Sequence, residues 1–155
     1  MYPQRRNFIK TGLAVCSLLL TAASGLLTPI LARAARNTGA FTAETHADAL
    51  AQLFPGQSIT PSTEIGIDVH DVIENGAFVP VNIHTGLEDV RSISVLADKN
   101  PNPLIAKFNL APECNGYIAT RIKVAEPSHI IAVVEAGDKL YSASKFVEVV
   151  AGGCG

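Results

Sequence analysis

Ile65-Gly66-Ile67-Asp68-Val69-His70, then Glu74-Asn75-Gly76, then Val79-Pro80-Val81-Asn82-Ile83-His84: this stretch decides the fold. Apolar side chains recur at every second position on both sides of a turn signal. A period of two points alternate side chains to opposite faces, so each half reads as a strand with one buried face. Asn-Gly suits the positive φ of a tight hairpin, which would join the two. Pro80 has no backbone donor, so its strand is expected at a sheet edge or at a bulge.

Working outward toward the C-terminus, the same reading repeats. Residues 92–96, 104–110 and 117–124 form three further strands, with Leu104, Phe108 and Leu110 on one phase. Asp98-Lys99-Asn100-Pro101-Asn102-Pro103 and Ala111-Pro112-Glu113-Cys114-Asn115-Gly116 are loops between them. Residues 129–135 are almost continuously apolar, which predicts a strand covered on both faces and hence central. Ala136-Gly137-Asp138-Lys139 turns the chain into a last strand from 140 to 150. Upstream, residues 57–63 read as a polar loop. Before it, Thr42 caps one short helix that carries Ala43, Ala47, Leu50, Ala51 and Phe54 and stops at Pro55-Gly56. The expected class is all-β: about seven strands with regular turn signals, a sandwich behind a short N-terminal helix.

The N-terminus gives an address. Arg5-Arg6-Asn7-Phe8-Ile9-Lys10 resembles a twin-arginine export signal. An apolar run follows from Thr11 to Leu31, and Ala32-Arg33-Ala34 offers a small-x-small cleavage site before Ala35. The expected organisation is a signal over 1–34, one domain over 35–150 and a short tail over 151–155. Cleavage would leave no membrane anchor and a periplasmic protein. It would also remove Arg5, Arg6, Lys10 and Arg33 but no acid, taking the net charge from −2 to −6. An acidic surface without basic runs argues against nucleic acid and anionic membranes as partners. Cys16 leaves with the signal, and Cys114 and Cys154 remain.

Catalytic and metal constellations are missing from the pattern. His46, His70, His84 and His129 have no partner at metal-ligand spacing. A blue-copper site needs a cysteine, two histidines and usually a methionine, and the single methionine is Met1. There is no nucleophile elbow, zinc-protease motif or phosphate loop. Asp68, Asp71 and Glu74 read as a solvated acidic face. Twin-arginine export carries folded cargo. With no cofactor site in the pattern, that route points to a partner subunit folded together with this chain.

The remaining signal is Gly152-Gly153-Cys154-Gly155. Glycine on both sides makes this tail a tether rather than a packed element. From Val150 to Cys154 the extended reach is roughly 15 Å. Glu148 and the Gly155 carboxylate are the nearby charges, and both disfavour a thiolate. No histidine or cation activates Cys154, as an enzyme nucleophile would require. Cys154 therefore reads as a point of covalent attachment, with catalysis supplied elsewhere.

The tail, the export signal and the sandwich together resemble the SoxY family, sulfur-carrier subunits of periplasmic thiosulfate oxidation. The family's ending is Gly-Gly-Cys-Gly-Gly, and this chain stops one glycine short of it. The segments from Ile73 to Val81 and from Asn100 to Pro103 are also similar to family segments. The resemblance implies an immunoglobulin-like sandwich paired with a SoxZ-like subunit and no cofactor. It implies that a haem-containing SoxAX-type enzyme loads thiosulfate onto Cys154 and that a SoxB-type hydrolase then releases sulfate. Gly152, Gly153 and Gly155 would let Cys154 enter narrow channels.

Cys114 stays open: a solitary thiol, a regulatory disulfide with Cys154, or a link between chains. Two other functions stay open beside the carrier. One is a structural or interaction sandwich that binds through a strand edge. The other is a thiol redox protein, for which the usual Cys-x-x-Cys pair is absent.

Overall fold

The computed structural model describes residues 37–150. Two short helices come first, α1 (Thr38–Thr42) and α2 (His46–Leu53). Nine strands follow among the described residues: β1 (Ile59–Pro61), β2 (Ile65–Asp68), β3 (Val72–Ile73), β4 (Val79–Thr85), β5 (Val90–Ala97), β6 (Leu104–Asn109), β7 (Tyr117–Ile122), β8 (Ser128–Ala136) and β9 (Lys139–Val149).

Two sheets face each other. The larger has the order β1-β9-β8-β5-β6, with β3 attached to β9, and the smaller has the order β2-β4-β7. Val81 and Ile83 of β4 meet Ile93, Val95, Ile130 and Val134 of the larger sheet, and all six are fully buried. The other face of the larger sheet is covered by the helices, where Ala49 and Phe54 pack on Leu96, Val133 and Leu140. β8 thus has apolar cover on both sides, which is why its sequence lacks alternation. The immunoglobulin-like, all-β expectation is met.

Several local expectations change. The single helix capped at Thr42 is two helices. Thr42 bonds back to the Thr38 carbonyl at 3.1 Å, and Ala43 is extended. Asn37 Oδ1 accepts the Ala40 N–H at 3.2 Å and caps α1, while Thr45 Oγ1 accepts the Asp48 N–H at 3.1 Å and caps α2. The two strands beyond the expected seven are β1, inside the supposed polar loop, and β3; both pair parallel with β9. Strands of three and two residues are too short to show a period.

Asn75-Gly76 is not a tight hairpin. β2 and β4 pair antiparallel, but β3 interrupts the chain between them. Nor does Gly76 belong to the positive-φ glycines, which are Gly56 and Gly137. Its requirement is space: a Cβ there would overlap the Val124 carbonyl oxygen and come 3.2 Å from Val149 Cγ1. Pro80 lies in a strand paired on both sides, against the expectation of an edge. β2 ends at Asp68 opposite Asn82, however, so at Pro80 only β7 is paired. The missing donor falls where β4 is locally an edge. Finally, the register shifts between Val95 and Leu96 against β6. That shift puts Leu104 under the helices, whereas Phe108 and Leu110 pack on the inter-sheet core. The three are not on one phase.

Candidate functional site

β9 leads toward the tail, and its partner strand changes near its end. Antiparallel pairing with β8 runs as far as Val147 opposite Ser128. Beyond that point β3 takes over, with Val72 opposite Glu148 and Ile73 opposite Val149. The Glu148 N–H donates to the Asp71 carbonyl at 2.8 Å, and the Val150 N–H donates to the Ile73 carbonyl at 3.0 Å. Lys145 ties the incoming loop down. Its Nζ donates to the Val69 carbonyl at 2.7 Å and lies 2.9 Å from Asp71 Oδ1. Val150, the last described residue, is thus bonded to the body, and it is called the root below.

Two sequence segments converge beside that root. Gly76 accepts the Val124 N–H at 2.8 Å and packs against Val149. Asn100 joins the opposite wall: its Nδ2 donates to the Lys123 carbonyl at 2.8 Å, and its Oδ1 accepts the Ala125 N–H at 2.9 Å. Between the two walls runs an open groove of about 770 Å³, lined by Ala77, Pro101, Val124, Ala125, Val149 and Val150 among others. A smaller hollow of about 250 Å³ lies on the other side of the 74–77 loop, against Val72, Phe78 and Pro80. The Arg121 guanidinium stacks on the Phe78 ring at 4.8 Å.

The tail itself, Gly152, Gly153, Cys154 and Gly155, lies outside the described residues, as do Arg5, Arg6, Phe8 and Lys10. Cys114 is described and exposed, in a turn closed by its own N–H to the Ala111 carbonyl at 2.9 Å. It shares a hollow with Thr85, Val90 and Gly116, at the opposite end of β7 from Val124. The Cys114–Cys154 bridge that the sequence left open involves a residue outside the described ones.

The histidines do not converge. His84 Nδ1 is 3.4 Å from Asp68, with its ring lying over Gly66. His129 Nδ1 is 3.4 Å from Asp98, and its ring meets Phe146 edge-on at 5.2 Å. Among the described residues no group of three or more His, Cys, Asp or Glu could hold a metal. The expected acidic face also divides, since Asp68 pairs with His84 and Asp71 with Lys145.

The model of the family "Sulfur oxidation protein SoxY" matches residues 50–154, well over half of the chain and through Cys154. This chain belongs to the SoxY family. A solved structure agrees: the sulfur carrier protein SoxY from Chlorobium limicola f thiosulfatophilum is 36% identical with a TM-score of 0.64. The alignment covers 71% of this chain and 96% of that one. A chain from a structure of T cell activation by the superantigen toxic shock syndrome toxin-1 is 11% identical with a TM-score of 0.41, too loose a likeness to bear on function. No curated protein sequence matches. Membership in SoxY gives the chain a sulfur-oxidation role of the carrier kind.

Sequence reasoning picks out the residues that gather at the root, Gly76 and Asn100 included, only as members of two segments. Phe78 falls in the first of these segments, but Lys145 and Val72 are missed as contributors. Lys145 looks like any solvated lysine in a strand, and only the placement of Val69 beneath it reveals its bond.

Proposed function

We propose that this protein is a non-catalytic carrier in periplasmic thiosulfate oxidation, with Cys154 as the attachment point. The supporting observation is the held root: β9 is fixed through Val150 at the rim of a groove, and the thiol follows four residues later. In loading, a bond forms between Cys154 Sγ and the sulfane sulfur of thiosulfate. The thiol proton goes to water, and two electrons would leave one at a time to a haem-containing SoxAX-type enzyme and its electron acceptor. In unloading, water attacks the sulfone sulfur within a SoxB-type hydrolase. The S–S bond to that sulfur breaks, sulfate and protons leave, and Cys154 keeps a persulfide.

The chain's own residues supply position in these steps. The glycines beside Cys154 place no side chain in the way of a narrow channel. β3 and Lys145 fix where the tail starts. A SoxZ-like subunit is the proposed partner of the body. Twin-arginine export through Arg5 and Arg6 would carry the folded pair, and the signal over 1–34 would be removed.

The test is the intact mass of the exported protein before and after reductant. Reductant-removable mass matching thiosulfonate or sulfane sulfur on the Cys154 peptide is expected. A uniform loss of two hydrogens with no adduct would reject the carrier reading.

A further inference from the structure

The small-x-small motif Ala32-Arg33-Ala34 comes shortly before the first helix: only Ala35 and Arg36 separate it from Asn37. Asn37 is already tied to the body. Its Nδ2 donates to the Gln52 carbonyl at 2.7 Å, and its Oδ1 caps α1 through the Ala40 N–H. α1 has five residues, too few to persist as a helix without packing. Its hold on the sheet is small. Ala40 is buried in the cluster of Leu96, Leu104, Val133 and Leu140, and Phe41 is half-buried against the same cluster. Beyond α1, Ala43 is extended, and α2 starts afresh under its own cap at Thr45. The chain can therefore part at Ala43. Residues 37–42 then come free while α2 keeps its cap and its anchors Ala49 and Phe54.

We propose that α1 is a latch on the processing site: it undocks so that the export signal can be cut, and it redocks once the cut is made. The proposal rests on the export reading above. A peptidase takes its substrate as extended backbone on both sides of the bond it cuts, as other strand-adding peptides are taken. With the cut at Ala34–Ala35 and Asn37 held, the free stretch on the mature side is two residues, roughly 7 Å. The folded body then stands at the mouth of the cleft. Release of residues 37–42 adds roughly 20 Å of reach. Water adds across the Ala34–Ala35 bond, leaving a carboxylate on Ala34 and an ammonium group on Ala35. Because the cut needs the undocked form, its rate follows the population of that form.

The test uses the purified precursor with its signal and a signal peptidase that accepts small-x-small sites. Cleavage rate and the N-terminal sequence of the product are read. Phe41→Ser weakens docking and speeds the cut about fivefold. A Gly/Ser insert of about six residues between Arg36 and Asn37 speeds it at least as much, with α1 still docked. In that background Phe41→Ser adds nothing, because the cut no longer needs undocking. An unchanged rate with either variant overturns the proposal. So does an acceleration by Phe41→Ser that persists beside the insert, which would assign the effect to general loosening of the domain. A product that begins before Ile30 overturns it too, since the cut would then stand clear of α1. Export that survives Arg5→Lys with Arg6→Lys, and a precursor that is never cut, would instead overturn the export reading beneath it.

Discussion

The two ends of β7 differ in how they are closed. At the Val124 end, backbone meets backbone: Gly76 lies against the Val124 carbonyl, and Asn100 grips both Lys123 and Ala125. At the Gly116 end the Thr85 N–H likewise donates to the glycine carbonyl at 2.8 Å, but a Cβ would meet the Thr85 methyl first, at 2.6 Å, and the Thr85 carbonyl oxygen only at 3.2 Å. The Val124 end adjoins Val149 and Val150, and the Gly116 end adjoins the turn that displays Cys114.

The sharpest way to break this comparison is to exchange the thiols' fates. Cys154→Ser should abolish reductant-removable sulfur adducts completely. Cys114→Ser should leave the adducts and the redox behaviour of Cys154 unchanged. Mass spectrometry of both variants decides it, and a changed Cys154 in the second would mean that the two thiols do meet.

Next in size is glycine. Gly76→Ala must displace backbone, and a cost of about 3 kcal/mol is expected, against about 1 kcal/mol for Gly116→Ala, where a methyl has to yield. Urea unfolding of both variants tests the order, and equal midpoints would refute it. Asn100→Ala should cost about 1 kcal/mol, because water can replace its two bonds at an exposed site. The loss should appear as faster hydrogen exchange at Ala125.

The smallest effect belongs to Lys145→Met. Its partner Asp71 is well exposed, so the ion pair adds little. The bond to the Val69 carbonyl remains, and about 0.5–1 kcal/mol is expected from its loss. The informative readout is local: the Val150 amide should exchange faster while the Ala132 amide of β8 does not. Equal acceleration at both sites would mean that Lys145 stabilises the whole domain and not the root.

Much of this was legible in the chain before folding. Alternation in 65–70 and 79–84 marked β2 and β4, and the unbroken apolar run at 129–135 marked a strand covered on both faces. These are near-neighbour patterns, set by where successive side chains point. The proposed attachment residue was legible for the same reason, since Gly152-Gly153-Cys154-Gly155 needs no tertiary context to be read as a thiol flanked by glycines. The parallel partners β1 and β3 were not legible. Too few residues lie in each to show a period, and their pairing with β9 closes loops of about 80 residues.

By itself, then, the sequence determined a β-sandwich, a central β8 and a thiol flanked by glycines. Tertiary structure alone decided where that thiol is anchored. Ile73, Gly76, Asn100 and Val124 become neighbours of Val150 only through pairings across the fold. Local composition encodes which face of a strand is buried, but hydrogen bonds between distant backbones depend on register, which only the packed sheets select.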